Sequence, residues 1–158
     1  MKDDAASLYL ENQLCFPLYA ASRLTTKIYG PYLENMGLTY PQYLVLLVLW
    51  QYEQLSVKEI GQRLYLESNT LTPLLKRLEQ KRLILRKRSE EDERTVHVSL
   101  SEEGKALKKE AMSIPKKIID SFQDNSMKDT DLLNFQKTLF ELVDILAKKS
   151  LSIKEGKE

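Results

Sequence analysis

The fold is decided by residues 68–100, which read SNTLTPLLKRLEQKRLILRKRSEEDERTVHVSL. Its first part has leucines at helical spacing and predicts a helix over Asn69–Lys81, capped by Ser68. The period then changes to two, and residues 83–88 and 95–100 alternate as short strands do. The polar residues between them are typical of a hairpin tip. The stretch therefore predicts a helix followed by a β-hairpin.

Two capping boxes mark the helices that precede this stretch. Thr39, with Gln42 three residues later, opens a very apolar helix over residues 43–52. Ser56, with Glu59 three residues later, opens a short helix after it. Three helices followed by a β-hairpin are the order of a winged helix-turn-helix. In that fold the third helix lies in a major groove of DNA, and the hairpin tip reaches a neighbouring minor groove.

The single cysteine, Cys15, lies where a further helix is expected to begin, with Pro17 in its first turn and an end near Gly30-Pro31. A lone thiol is usually a small buried hydrophobe. If Pro17 opens the helix, however, the thiol lies beside unpaired N–H groups at the positive end of the helix dipole, which favours the thiolate. Cys15 is then a reactive group.

Helices are also expected at the other end of the chain. Ser101 caps a helix to about Phe122 in which Pro115 predicts a kink, and a turn over residues 123–126 leads to an amphipathic helix over 127–149. The apolar stripes of the terminal helices need a partner. Pairing with a second copy of the chain is the simplest answer, and packing within one chain is the alternative.

The length of 158 residues suits one domain, residues 1–158. We expect a mainly α fold with a small β-hairpin (α+β): a winged helix-turn-helix over residues 39–101, with dimerisation helices over 8–30 and 102–150. A two-fold dimer presents two recognition helices, as palindromic DNA sites require.

Charge is unevenly distributed along a chain whose net charge is +1. Residues 63–88 contain eight basic and two acidic residues, a net charge of +6, and the rest of the chain sums to −5. This pattern indicates a polyanion bound at one face. Charge alone fits a solvated basic helix face equally well.

Composition excludes several classes of protein. One cysteine excludes an intramolecular disulfide, and one histidine, His97, leaves little for a zinc site, so we expect no metal and no cofactor. The N-terminus lacks the pattern of a signal peptide, and the longest apolar run, residues 43–50, is too short to cross a membrane. We expect a soluble, cytoplasmic protein.

Four stretches resemble the MarR family of transcription regulators, and most closely its organic hydroperoxide-sensing (OhrR) branch. They are ENQLCF at 11–16, LTYPQY at 38–43, LTPLLKR at 71–77 and RKRSEEDER at 86–94. The resemblance covers about residues 10–107. It implies a dimeric repressor, not an enzyme, that releases its palindromic operator when an organic hydroperoxide oxidises the thiol.

The resemblance also implies roles for three residues of the sensor. Cys15 is the peroxidatic thiol, and Tyr29 and Tyr40 of the other subunit are its hydrogen-bond partners. Cys15 and Tyr29 are 14 residues apart on one expected helix, or about 21 Å, so they can meet only if two chains cross. Core or interface packing is the commoner role of a tyrosine. The chain lacks a second cysteine, so an oxidised Cys15 must react with a small thiol or a backbone nitrogen, or become overoxidised.

The expected DNA contacts lie on the third helix and the hairpin. We predict base-edge readout by the N-terminal part of the helix and phosphate contact by its later cations. Arg94 at the hairpin tip is expected to enter a groove, oriented by Asp92. The full expected set is Ser68, Asn69, Thr70, Thr72, Lys76, Arg77, Arg86, Arg88, Asp92 and Arg94.

Three other functions are open to this sequence. One is a global regulator with a broader redox response, and another is a MarR-type sensor of phenolic ligands in which Cys15 has no role. The third, a thiol peroxidase, is disfavoured because one cysteine without a resolving partner cannot easily turn over. Loss of operator binding on stoichiometric peroxide, reversed by a reductant, separates the two redox regulators from the phenolic-ligand sensor. Catalytic consumption of peroxide would identify the peroxidase.

Overall fold

The computed structural model describes residues 4–122 and 128–156. Two short 3-10 helices, Asp4–Leu8 and Leu10–Asn12, come first. The elements that follow are α1 (Cys15–Glu34), α2 (Tyr40–Tyr52), β1 (Gln54–Ser56), α3 (Val57–Leu64), α4 (Ser68–Gln80), β2 (Ile84–Arg88), β3 (Val96–Leu100), α5 (Glu102–Ala111), α6 (Ile114–Phe122) and α7 (Asp129–Glu155). The chain is mainly helical with a small antiparallel sheet, which confirms the predicted fold class.

Helix α2 lies at the centre of the hydrophobic core. Its residues Val45, Leu46 and Leu49 are fully buried, and each buried leucine contributes roughly 2 kcal/mol relative to an exposed one. The predicted capping box at its start is present, and the Thr39 N–H donates to Gln42 Oε1 at 3.1 Å. The core also takes residues from the rest of the winged unit: Leu55, Ile60, Leu71, Leu75, Leu78, Ile84 and Val98.

Helices α3 and α4 form the helix-turn-helix. The capping box predicted for α3 is present: the Ser56 N–H donates to Glu59 Oε2 at 2.7 Å, and the Glu59 N–H donates to Ser56 Oγ at 3.2 Å. The turn after α3 packs closely against Gly61, where an added Cβ would lie 2.7 Å from the carbonyl oxygen of Leu66. A glycine is needed there for the two helices to approach each other.

Helix α4 begins one residue earlier than the sequence predicts. Ser68 is its first residue, not its cap, because the carbonyl oxygen of Glu67 accepts the backbone N–H groups of Thr70 and Leu71. Of the four leucines expected on its buried face, Leu71, Leu75 and Leu78 are buried in the core, whereas Leu74 is only partly buried.

The sheet has three strands in the order β1-β3-β2, all antiparallel. The hairpin of β2 and β3 was predicted, and Arg88 pairs with Val96 next to its tip. Strand β1 was missed because three residues are too short to show a period. It is recruited by β3, where Leu55 pairs with Val98 and both side chains are buried.

The predicted end of α1 and the predicted kinked helix after Ser101 are wrong. α1 continues through Pro31 to Glu34, because its last turn is packed onto the core by Leu33, which is 1% exposed. The predicted kinked helix after Ser101 is two helices, α5 and α6. Pro115 is the second residue of α6, where a proline costs nothing, so it follows a break and does not bend a continuous helix.

The C-terminal helix α7 spans Asp129–Glu155 and so runs six residues beyond the predicted end. The predicted turn over residues 123–126 lies outside the described residues. Ser101 caps α5 as predicted, its Oγ accepting the N–H of Gly104 at 3.0 Å.

Helices α1 and α7 leave large apolar side chains exposed. Leu14 is 87% exposed and Phe140 64%. The exposed set on these two helices and the segment before α1 is Leu8, Tyr9, Leu10, Leu14, Phe16, Tyr19, Leu24, Ile28, Leu133, Phe135, Phe140, Ile145, Leu146, Leu151 and Ile153. Large apolar side chains exposed in such numbers on two helices are typical of an interaction site.

Candidate nucleic-acid interface and thiol site

The outer face of α4 presents the residues predicted to read DNA. Asn69, Thr70, Lys76 and Arg77 are exposed. Thr72 is half-buried, and its hydroxyl donates to the Ser68 carbonyl oxygen at 2.7 Å. The hydroxyl proton of Thr72 is therefore already used, and a base edge can meet only its methyl group or its oxygen lone pairs.

The β2–β3 hairpin forms the wing, and side chains that hydrogen-bond to the backbone order its tip, residues 89–95. Ser89 Oγ accepts the N–H groups of Glu91 and Asp92 at 3.2 and 3.3 Å. The Asp92 carboxylate accepts the Arg94 N–H at 3.0 Å and the Thr95 hydroxyl at 2.8 Å, and these bonds lower the pKa of Asp92. Asp92 thus holds the backbone of Arg94, and within the described residues it makes no ion pair with the guanidinium.

Arg86 is used inside the chain. Its Nε and Nη2 donate to Glu79 Oε2 at 2.9 and 2.6 Å, and both side chains are half-buried. Because Glu79 lies on α4, this ion pair fastens the wing strand β2 to the recognition helix. Arg88 is exposed at the end of β2, beside the exposed pair of Lys87 and Glu90.

A groove of about 370 Å³ separates the N-terminal ends of α3 and α4 from the wing. It brings together four of the predicted residues, Ser68, Thr72, Arg86 and Arg94. It also contains Lys58, which the sequence reasoning missed because this lysine lies before the basic segment that starts at Arg63. The structure therefore adds one cation to the predicted face.

The two predicted sensor tyrosines lie side by side in one chain. The ring centroids of Tyr29 and Tyr40 are 4.8 Å apart, and Tyr43 is 6.0 Å from Tyr29. Burial, reinforced by Tyr40 and Tyr43, raises the pKa of Tyr29 to about 12, and burial also raises the pKa values of Tyr40 and Tyr43. At neutral pH these hydroxyls are protonated and can donate hydrogen bonds.

Cys15 is the first residue of α1, as predicted, and it is an exposed free cysteine. Tyr29 lies on the same helix, about 21 Å farther along it at 1.5 Å per residue. A thiol and a tyrosine placed in this way cannot meet within one chain. The predicted thiol and the predicted tyrosine partner Tyr29 therefore lie far apart on one helix.

Metal binding and membrane insertion have no support among residues 4–122 and 128–156. No three His, Cys, Asp or Glu side chains there gather closely enough to hold a metal ion. None of the helices found in these two ranges is long and apolar enough to span a bilayer. His97 is a half-buried residue of β3, as predicted.

A recognition helix, a wing and a basic groove between them define a winged helix-turn-helix protein. Residues 27–111 match the model of the SarA/Rot family of transcriptional regulators. The chain is also 49% identical over 150 residues, 95% of its length and 100% of the relative's, to the organic hydroperoxide resistance transcriptional regulator of Bacillus subtilis. It therefore belongs to the MarR/SarA family of transcriptional regulators, which are not enzymes.

Two staphylococcal regulators are similar as well. The chain is 42% identical over 126 residues to the regulator SarZ of Staphylococcus aureus, covering 80% of this chain and 85% of SarZ. Reduced AbfR bound to DNA, from Staphylococcus epidermidis, superposes with a TM-score of 0.71 at 35% identity, covering 96% of this chain and 99% of that one. Overoxidised AbfR bound to DNA, 36% identical, gives a TM-score of 0.68 and covers 92% of this chain and 99% of that one. Disulfide-formed AbfR, also 36% identical, gives a TM-score of 0.55 and covers 93% of this chain and 95% of that one.

Proposed function

We propose that this chain is a homodimeric, cytoplasmic repressor that releases its operator when an organic hydroperoxide oxidises Cys15. The observation that carries the proposal is an exposed, single thiol at the start of α1. It lies in a chain that matches a regulator of organic hydroperoxide resistance over that regulator's full length.

The dimer follows from the exposed apolar faces and from the divided thiol site. Residues 8–30 and 102–150 would form the dimerisation helices and residues 39–101 the winged unit. Crossing the two α1 helices would bring Cys15 of one chain to Tyr29 and Tyr40 of the other. The same two-fold axis would present two α4 helices to a palindromic operator.

The DNA contacts we propose combine readout and anchoring. Ser68, Asn69, Thr70 and Thr72 would face base edges, while Lys76 and Arg77 bind phosphates. Arg88 and Arg94 would contact the backbone or the minor groove from the wing, with Asp92 holding the tip in shape. Arg86 would act through Glu79, setting the angle between wing and recognition helix.

The chemical step needs only the thiolate and the peroxide. The Cys15 sulfur attacks the outer peroxide oxygen, the O–O bond breaks, and an alcohol leaves after taking up a proton. Sulfur has lost two electrons and is now a sulfenic acid. A small thiol then attacks this sulfur, a mixed disulfide forms, and water leaves. The tyrosine hydroxyls would hold the thiolate by donating to it before the peroxide arrives.

Release of the operator would follow from the size of the group added to Cys15, where the two α1 helices cross. AbfR is described on DNA in both its reduced and its overoxidised form, and its disulfide form superposes less well on this chain, with a TM-score of 0.55 against 0.71 for the reduced form. These findings favour a disulfide of Cys15 over an added oxygen as the releasing species, and in a chain with one cysteine that disulfide would be a mixed one with a small thiol. Because half-site spacing is set by DNA geometry, a small displacement of the two α4 helices is enough to lose most of the affinity.

The test is operator binding by the wild type and by Cys15→Ser. A duplex selected from a random pool by the reduced protein serves as operator. We expect cumene hydroperoxide with a small thiol to release the wild type and a stronger reductant to restore binding. Cys15→Ser should bind equally well and ignore both reagents. Release of the Ser variant, or consumption of many equivalents of peroxide per chain, would contradict the proposal.

A further inference from the structure

Lys81 joins the far end of the recognition helix to the turn between α1 and α2. It follows the last residue of α4, about 20 Å from Ser68 at 1.5 Å per residue. Its Nζ donates to the carbonyl oxygen of Gly37 and, at 3.3 Å, to Gln42 Oε1. The ammonium group of Lys81 is therefore bound to the protein itself, although Lys81 belongs to the basic segment of residues 63–88.

The acceptors of Lys81 belong to the same short piece of chain as a sensor tyrosine. Gln42 is 2% exposed, and its Oε1 also accepts the N–H of Thr39 at the start of α2. Tyr40, the first residue of α2, lies against Tyr29 of α1. Residues 37–42 thus contact both Tyr29, through Tyr40, and Lys81 at the end of the recognition helix.

We propose that Lys81 is a positioning residue that transmits movement of the α1–α2 turn to the recognition helix. The proposal rests on the proposed function, in which a group added to Cys15 displaces Tyr29 and Tyr40. The core between α2 and α4 is apolar, and the bonds of Lys81 add a link to it that depends on direction, because hydrogen bonds weaken steeply when distance or angle changes. When the turn moves, Lys81 either draws the end of α4 with it or loses its two acceptors. Both events make the position of α4 depend on the state of the thiol.

The experiment compares the operator affinities of oxidised and reduced protein for Lys81→Met. Met keeps the length of the side chain and removes its charge and its donors. We expect the ratio of the oxidised to the reduced dissociation constant to fall about fivefold, while the rate of Cys15 oxidation and the salt slope of the reduced protein stay as in the wild type. Lys81→Arg, which keeps the donors, should retain the wild-type ratio.

Lys76→Met is the matched control, because it removes the same charge from the exposed face of the same helix. It should weaken operator binding in both redox states and leave their ratio unchanged. The inference is overturned if Lys81→Met keeps the wild-type ratio, or if Lys76→Met lowers the ratio equally. If the wild type itself is not released by peroxide, the proposed function fails. If the wild type is released and Lys81→Met is released equally well, only the role of Lys81 fails.

Discussion

At the scale of single residues, the wing shows how an acidic neighbourhood can present a cation. Asp92 is bonded to the Arg94 N–H and the Thr95 hydroxyl, so its charge stabilises the tip without neutralising the guanidinium. We expect Arg94→Ala to weaken DNA binding and to lower the slope of log affinity against log salt by about 1, through loss of one phosphate or groove contact. Anisotropy titrations over a range of salt measure both.

The control for this prediction is Lys109→Ala. Lys109 is an exposed cation on α5, outside the groove. Its removal should leave the slope almost unchanged. An unaltered slope and affinity for Arg94→Ala would remove the wing from the DNA interface.

The tyrosine pair is expected to act on the rate of oxidation. Tyr29→Phe with Tyr40→Phe removes the two donors and keeps the ring contact, so DNA binding by the reduced protein should be retained. Oxidation of Cys15 by cumene hydroperoxide should be slower, because the thiolate loses its hydrogen-bond partners. Stopped-flow loss of the free thiol measures the rate. The exposed Tyr19, changed to Phe, is the control, and equal rates for all variants would exclude the pair from the thiol site.

Tyr29 also predicts a pH dependence of stability. Its pKa is about 12 in the folded chain and near 10 in an unfolded one. Between these values the folded state keeps a proton that the unfolded state has lost. The stabilisation is complete below about pH 10 and is lost as the pH rises through about 12.

The effect should be about 1 kcal/mol, less than two pKa units imply, since the half-buried ring is partly solvated. Urea unfolding near pH 9 and near pH 11 measures it. Tyr29→Phe should lose less stability over that range than the wild type, and Tyr19→Phe should lose as much. Equal alkaline losses for Tyr29→Phe and the wild type would show that Tyr29 is not the group responsible.

At the scale of elements, the recognition helix divides into a reading end and an anchoring part. Thr70 is exposed in the first turn of α4, and Lys76 is exposed two turns from the start. Thr70→Ala should relax specificity at one operator position with little effect on random DNA. Lys76→Ala should weaken operator and random DNA alike. Competition titrations with both DNAs measure this, and an equal loss on random DNA for Thr70→Ala would contradict the division.

The elements also show where local signals are sufficient. The capping boxes at Thr39 and Ser56 were predicted and are present, because each is a set of hydrogen bonds within four residues. The end of α1 was not predictable in this way. Pro31 signals a stop locally, but burial of Leu33 against the core extends the helix by another turn.

At the scale of the whole molecule, the exposed faces of α1 and α7 predict a dimer that operator binding requires. Phe135, which is 53% exposed on α7, should be buried in that dimer, where a carboxylate would be desolvated without a partner. Phe135→Glu should therefore give a monomer that binds operator at least tenfold more weakly, at a cost of about 1.4 kcal/mol or more. Sedimentation velocity measures the first effect and anisotropy the second.

Lys137→Glu is the control, since Lys137 is exposed on the same helix and the change replaces one charged side chain with another. It should remain dimeric. A Phe135→Glu variant that stays dimeric with normal operator affinity would place the interface elsewhere on the chain.

The DNA-contact residues and the sensor residues of the candidate site differed in how far the sequence could predict them. The residues of α4 and the wing could be identified because helical period, strand period and charge are local properties of the sequence. A reactive Cys15 could be inferred from its place at a helix start, but the roles of Tyr29 and Tyr40 came only from resemblance to a family, since core or interface packing is the commoner role of a tyrosine. Cys15 and Tyr29 lie far apart on α1, and Tyr40 of α2 packs against Tyr29. A meeting of the thiol with the tyrosines across two chains stays a prediction.

What the sequence by itself determined is the order of most elements, the caps at Thr39, Ser56 and Ser101, the apolar faces of the helices and the cations on α4 and the wing. Only the tertiary structure decided which distant residues meet. Glu79 holds Arg86, Lys81 reaches Gln42, and β3 recruits Leu55 and its neighbours as a third strand. The physical reason is that a cap or a period depends on bonds within a few residues, whereas these contacts depend on how the apolar core sets whole elements against one another.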